Sequence, residues 1–327
     1  MFKQILVPLD GSLRAESALA IAARIAGASE GTIMLLRVVG IPAEYTSYLY
    51  DSYMAQTPVH AQEILDTEQA NAENYLANVA KSTRLAGIKT QTKTLSGSAA
   101  MTILDVARDE HIDLIVMCSH GDTGFKRWAL GSVAQQVARH SPVPVLVLRE
   151  DGTAPTSSFP DHLHPLRAVT AMVALDGSKL AEVALEPAAY LVAALAAPAQ
   201  GALLLTSVVN LAAIKNRSEL QKKVLDDIKG YLKDTIERLH AGDVGKLNLA
   251  IRWSIENSKD IADALIRAAE SGEIVESSGE FAGCDLLAMA THGRGGVQRW
   301  VMGSVTERVL GATKLPLLIV RPQAEQS

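Results

Sequence analysis

The chain has 327 residues, 48% hydrophobic and 20% charged, with a formal net charge of 31 − 36 = −5. That length suits about two globular domains, and the absence of any run of Lys or Arg argues against a nucleic-acid partner, whose phosphates call for a clustered basic surface. Two cysteines, Cys118 and Cys284, are too few for a thiolate metal site or a disulfide framework.

The first ten residues, MFKQILVPLD, already reach a strand and an acid, which leaves no room for the apolar core of a secretion signal. The longest apolar stretch, Ala188–Ala199, is too short for a bilayer. A reducing, cytoplasmic setting without a membrane partner is therefore expected.

Ile5–Leu9 is a short apolar run closed by Asp10-Gly11-Ser12, the pattern of a buried parallel strand ending in a turn. Ser12 is placed to cap the following Ala-rich helix, whose apolar face runs through Ala15, Leu19, Ala22 and Ile25. A second strand covers Thr32–Val39. The stretch Gly40–Pro58 carries Tyr45, Tyr48, Tyr50 and Tyr53, and reads either as a surface loop or as a lid offering rings to a base. Helix is expected from about Gln62 to Leu85, a strand near Lys89–Leu95, and a helix from Gly97 through Arg108. Strands near Leu114–Cys118 and Val143–Leu148 complete five strands alternating with four helices, which implies a parallel sheet with helices on both faces.

Asp151–Pro165 is rich in Pro, Ser and Thr and reads as a linker. Its His162 and His164 lack the carboxylate or thiol framework of a metal site. The pattern then restarts. Val169–Leu175 ends in Asp176-Gly177-Ser178, Pro187 is expected to kink a helix continuing to about Ala196, and Leu203–Val209 matches the second strand. Glu219–Leu239 matches the long helix and Leu247–Ser254 the third strand. No glycine answers Gly97, the tyrosine segment is missing, and a polar insertion, Ser271–Gly283, precedes the fourth strand. The domains are accordingly drawn at 1–150 and 166–323, with the linker at 151–165.

The strongest match lies between Asp113–Arg149 and Asp285–Arg321, which align without a gap. Each holds a strand, a loop glycine, nine further residues, Gly-Ser, a helix and a Pro-announced strand. Ligands of doubly wound sheets bind beyond the carboxyl ends of the strands. Gly121 and Gly131 would let a phosphate chain approach the backbone, and Ser132 stands where free amides and the helix dipole favour an anion. Ser132 either donates its hydroxyl or only caps the helix. Asp10 is placed to accept from a ribose or base. Gly293, Gly303, Ser304 and Asp176 repeat the set. His120 and His292 read as loop-shaping residues rather than general bases.

The combination ILVPLDGS, LLRVV, DLIVMCSHG-x9-GS and PVPVLVLR, repeated as VALDGS, DLLAMATHG-x9-GS and LPLLIVR, resembles the universal stress protein family, as a tandem member. The resemblance implies two five-stranded parallel α/β sandwich domains, Rossmann-like and of the adenine nucleotide alpha hydrolase kind. It implies ATP or another adenine nucleotide as ligand, with or without Mg2+. Pro8, Leu9, Asp10 and Val38 would face adenosine in the first domain, with Gly121, Gly131, Ser132 and Val133 on the phosphates. The second-domain matches are Ala174, Leu175, Asp176 and Val208, then Gly293, Gly303, Ser304 and Val305. Met117 and Met289 join them as cofactor-binding positions.

The chain departs from the family's Gly-x2-Gly-x9-Gly-Ser/Thr pattern at the first glycine, where it has Cys118 and Ala290. Asp122 would disfavour phosphate in the first loop, and Arg294 would favour it in the second. The expected function is adenine-nucleotide binding in a stress or regulatory role, without a dedicated catalytic centre. No Walker lysine, Gly-x-Gly-x-x-Gly or nucleophile–His–acid set appears. Two other readings stand beside it: an interaction scaffold with decayed sites, and a slow ATP hydrolase. The resemblance also implies that the last strands pair across the domains and that the whole chain forms a homodimer.

Overall fold

The computed structural model describes residues 1–40, 58–119, 131–149, 169–214, 218–272, 283–292 and 302–322. The tyrosine-rich segment Tyr45–Tyr53, the linker at 151–165 with its two histidines, and residues 273–282 of the insertion lie outside that set. So do the loop residues His120, Gly121, Asp122, Gly293 and Arg294.

In the first half, β1 (Gln4–Pro8) leads into the short helix α1 (Leu13–Glu16) and then α2 (Ala18–Ser29). There follow β2 (Thr32–Val39), α3 (Pro58–Ala80), β3 (Lys89–Ser96), α4 (Ala99–Asp109), β4 (Leu114–Cys118), α5 (Ser132–His140) and β5 (Val145–Leu148). The second half repeats the order with β6 (Thr170–Ala174), α6 (Lys179–Glu182), α7 (Leu185–Ala196), β7 (Gly201–Val209) and α8 (Ser218–Ala241). It closes with β8 (Leu249–Asn257), α9 (Ile261–Arg267), β9 (Leu286–Ala290), α10 (Ser304–Ala312) and β10 (Leu317–Val320).

Among the described residues ten strands share one sheet, ordered β3-β2-β1-β4-β5-β10-β9-β6-β7-β8. Every pairing is parallel except β5 with β10, where Leu317 faces Val147 and Leu318 faces Leu146 in antiparallel register. Each half is thus a parallel α/β unit, and the halves join at their last strands. Strand alternation sends Ile5, Val7 and Leu35 to one face with α2, and Leu6, Leu36 and Ile115 to the other with α4 and α5. Both apolar layers continue into the second half, through Val173 and Leu205 on one face and Met172 and Leu287 on the other. Small Ala-rich faces let α2 and α7 pack directly against each other across the join. The ion pair Arg139–Glu307 (2.7 Å) and the bond from Arg321 Nη1 to the His140 carbonyl (3.3 Å) flank it. Among the described residues no helix is long and apolar enough to cross a membrane.

Three expectations are corrected here. The helix after each Asp-Gly-Ser turn is broken, at Ser17 in the first half and at Val183–Ala184 in the second. Pro187 is not the cause, since the first half breaks with no proline; it sits in the first turn of α7, where a missing amide hydrogen costs no helical bond. The third strand of the second half begins at Leu249 and runs to Asn257, later than expected, because a 3-10 turn over Asp243–Lys246 takes up the preceding residues. The long helix of the first half ends at Ala80, with only a 3-10 turn at Thr83–Leu85 beyond it.

Candidate functional site

The carboxyl ends of the parallel strands carry the same construction twice. Asp10 leaves β1 and accepts from the Ser12 amide (2.9 Å) and hydroxyl (2.6 Å); Asp176 leaves β6 and accepts from Ser178 at the same two distances. Ser12 and Ser178 in turn accept from the amides of Ala15 and Ala181, capping α1 and α6. Each aspartate is thereby fixed at the strand end by its own turn.

The Gly-Ser pair is built alike in both halves. The Gly131 amide donates to the Ser119 carbonyl and the Gly303 amide to the Thr291 carbonyl, both at 2.8 Å. Gly131 and Gly303 are the N-cap residues, and neither helix has a side-chain cap bond. Ser132 and Ser304 are instead the first helical residues and are exposed, so the capping alternative for Ser132 is removed. The first intrahelical bond of α10 runs from the Glu307 amide to Gly303, so the amides of Ser304, Val305 and Thr306 precede it. The Thr306 hydroxyl donates to the Ala290 carbonyl at 2.9 Å and ties that helix start to the end of β9.

In the second half these pieces surround one cavity of about 1230 Å³. Ala174, Leu175, Asp176 and Val208 line it, as do Met289, Gly303, Ser304 and Val305. All eight described second-domain candidates therefore meet at one opening. His292 also lines it, with its Nδ1 3.0 Å from the Thr291 hydroxyl. Ser258 stands where the first half has Gly97. Its amide donates to Val209 (2.9 Å) as that of Gly97 does to Val39 (3.0 Å), so the missing glycine leaves the strand end intact.

In the first half, Pro8, Val38 and Val133 are half-buried, Leu9 and Met117 are buried, and Asp10 and Ser132 are exposed at the corresponding strand ends. Cys118 lies on the opposite sheet face from Met117. Its Sγ sits 2.9 Å from the Ser17 hydroxyl and donates to the Arg14 carbonyl at 3.0 Å. It is half-buried, whereas Cys284 is buried.

The sequence reading did not include the cavity wall on the helix side. Val224, Ile228 and Tyr231 of α8 and Ile261 and Leu265 of α9 line it. The spacing 224, 228, 231 is a helical stripe and was the available signal. Burial, reinforced by Glu182, pushes the Tyr231 phenol above its ordinary range; burial and Glu16 do the same to Tyr75. Burial alone would raise the Glu182 carboxyl, but hydrogen bonds from Arg238 and Lys179 outweigh it and hold the carboxyl low.

Comparison with known proteins matches this frame. A profile of the universal stress protein family fits residues 1–149 and again 170–321. A universal stress protein of Methanocaldococcus jannaschii is 31% identical over 156 residues, 46% of this chain and 84% of its own length. Universal stress protein YxiE of Bacillus subtilis is 31% identical over 150 residues, 46% of this chain and all of its own. The crystal structure of a universal stress protein from Archaeoglobus fulgidus superposes with a TM-score of 0.62 at 21% identity, covering 97% of this chain and 98% of that one, which supports the fold. With one copy of the family's domain matched in each half, the chain belongs to the universal stress protein family as a tandem member.

Proposed function

We propose that this protein is an adenine-nucleotide-binding regulator of the stress response, and that the second-domain cavity is its principal nucleotide site. The observation that carries this reading is the meeting of Asp176, Val208, Gly303 and Ser304 around one cavity at the carboxyl end of a parallel sheet. Three helix-start amides, an exposed Ser304 hydroxyl and a glycine without a side chain suit phosphate oxygens. Val208, Met289 and Ala174 offer an apolar slot for a base, and Asp176 an acceptor for ribose hydroxyls. Among the described residues no three His, Cys, Asp or Glu side chains stand together as a metal site.

No enzymatic step is assigned; the protein acts by binding, in a cytoplasmic setting, with the two domains paired within one chain and the chain itself a homodimer. The test is the mass of any nucleotide released on denaturing freshly purified protein, together with calorimetric titration with ATP. Flat calorimetry at millimolar ATP would remove the reading and leave the scaffold alternative. Steady-state turnover abolished by Asp176→Ala would instead install the hydrolase.

A further inference from the structure

The two halves place different residues at one position beside their sites. The Leu9 amide donates to Leu36 and the Leu175 amide to Thr206, both at 2.8 Å, so Arg37 and Ser207 are structural equivalents. In the first half the Arg37 guanidinium lies 5.5 Å from the centroid of the Tyr75 ring. A Cβ added at Gly11 would overlap its Nη1, so the guanidinium is wedged between Gly11 and Tyr75. That Nη1 is buried and meets no hydrogen-bond acceptor among the described residues. Behind it the Tyr75 hydroxyl donates to Glu16 (3.1 Å), which Arg84 also holds (3.2 Å).

The second half keeps the holder and omits what it holds. Gly177 answers Gly11, Tyr231 answers Tyr75, and Glu182, held by Arg238 (3.1 Å) and Lys179 (2.9 Å), answers Glu16. The buried Tyr231 hydroxyl, however, makes no hydrogen bond among the described residues, where that of Tyr75 donates to Glu16. Ser207, only 5% exposed, takes the place of Arg37 and lacks its propyl-guanidinium. Gly177, Ser207 and Tyr231 all line the cavity, so the volume that Arg37 fills in one half is open in the other. Asp176 and Asp227 also line the cavity, while no described lining residue is Lys or Arg. Val224 and Ile228 give the same compartment an apolar wall.

We propose that this compartment binds a small alkylguanidinium, stacked on Tyr231 in the place that Arg37 occupies in the first domain, with its methylenes against Val224 and Ile228. A tyrosine face, nearby carboxylates and an apolar wall recognise an organic cation by cation–π attraction and burial of its stem. The first domain supplies its own guanidinium and needs none. The inference goes beyond the nucleotide reading, because the compartment lies on the Tyr231 side of Asp176 and is tested without nucleotide.

The experiment is calorimetric titration of the full chain with agmatine, with its urea isostere 4-ureidobutylamine, which keeps the amine and is neutral where agmatine carries its guanidinium, as the neutral control. The wild-type chain is expected to bind one agmatine, roughly tenfold tighter than the neutral control. Ser207→Arg should abolish binding by refilling the compartment, and Tyr231→Leu should weaken it about as much as loss of charge does. Arg37→Ser should create a second site and raise the stoichiometry to two. The inference is overturned if the wild type shows no binding at millimolar agmatine, or binds the neutral control equally. It is also overturned if folded Arg37→Ser keeps a stoichiometry of one, a result readable even should Ser207→Arg not fold. ATP titration of the same samples reports separately on the nucleotide reading.

Discussion

Two glycine-to-alanine changes, one at the N-cap of α10 and one in its last turn, should have opposite signs. At Gly311 nothing lies within 4 Å of an added Cβ, so the change only removes backbone freedom from the unfolded chain and should stabilise by about 0.5 kcal/mol. At Gly303 the backbone angles, φ −61° and ψ 144°, suit any residue, so strain is not the issue. The added Cβ would stand 3.1 Å from the Thr291 carbonyl oxygen, the same atom that accepts the Gly303 amide at 2.8 Å. Thr291 is 1% exposed, and a carbonyl pushed off its donor there finds no water. Partial loss of that bond costs about 1 kcal/mol, and Ala caps a helix less well than Gly by several tenths more. The two variants should therefore differ by roughly 2 kcal/mol in urea denaturation. Displacing the helix start should also lower ATP affinity about tenfold in Gly303→Ala, whereas Gly311→Ala should titrate like wild type. Equal stability of the two variants, or unchanged ATP binding by folded Gly303→Ala, would refute the geometry assigned to this corner.

Other outcomes follow from the same contacts. Because the Glu182 carboxyl is held low in the folded chain, its stabilising contribution is present above the ordinary carboxylate range and disappears as pH falls through the folded value. Glu182→Gln should thus be less stable than wild type at neutral pH, with the gap closing in acid; a gap constant to strong acid contradicts the Arg238–Lys179 clamp. Leu318 is fully buried opposite Leu146, so Leu318→Ala should cost about 2–5 kcal/mol and lower a single unfolding transition shared by both halves. Two separate transitions in calorimetry would show the halves to be uncoupled. Removing the Arg139–Glu307 pair, whose side chains are 29% and 48% exposed, should change stability by under about 1 kcal/mol, and less in high salt. Thr206→Val should cost about 1–2 kcal/mol, since it strips the buried Ser254 hydroxyl of its 2.9 Å partner.

Where one residue type dictates the local backbone, the chain was readable. Continuous apolar runs such as Ile5–Leu9 and Leu114–Cys118 became central strands, and Asp10-Gly11-Ser12 became a turn with a capped helix, because each signal needs only its own neighbours. What depended on distant packing was not readable. The break at Ser17 and at Val183–Ala184 falls inside an Ala-rich stretch with neither Gly nor Pro at the break, and at Ser17 the hydroxyl donates to the Arg14 carbonyl. The start of β8 slid because Leu247 and Val244 satisfy a 3-10 turn as readily as a strand end. The cavity wall on α8 was hidden for a further reason. Val224, Ile228 and Tyr231 read as an ordinary core stripe, and nothing local says that the strand residue opposite them, Ser207, is too small to meet them.

That last pair explains how one fold carries two unequal sites. The apolar layers that hold the strands together run through Ile5, Leu6, Val173 and Leu287 and reach the second opening at Leu175, Leu265 and Met289, but neither Arg37 nor Ser207 belongs to them. Exchanging Arg for Ser at the second strand's end therefore alters the opening while the layers stay closed. The turn carboxylates, the amide-to-carbonyl bonds at Gly131 and Gly303 and the Glu–Arg pairs Glu16–Arg84 and Glu182–Arg238 are present twice. Difference between the sites has to come from the few side chains that project into the openings. Arg37 and Ser207 are such a pair, differing in both volume and charge, and under the proposed guanidinium binding that exchange is where the two domains' ligand preferences part.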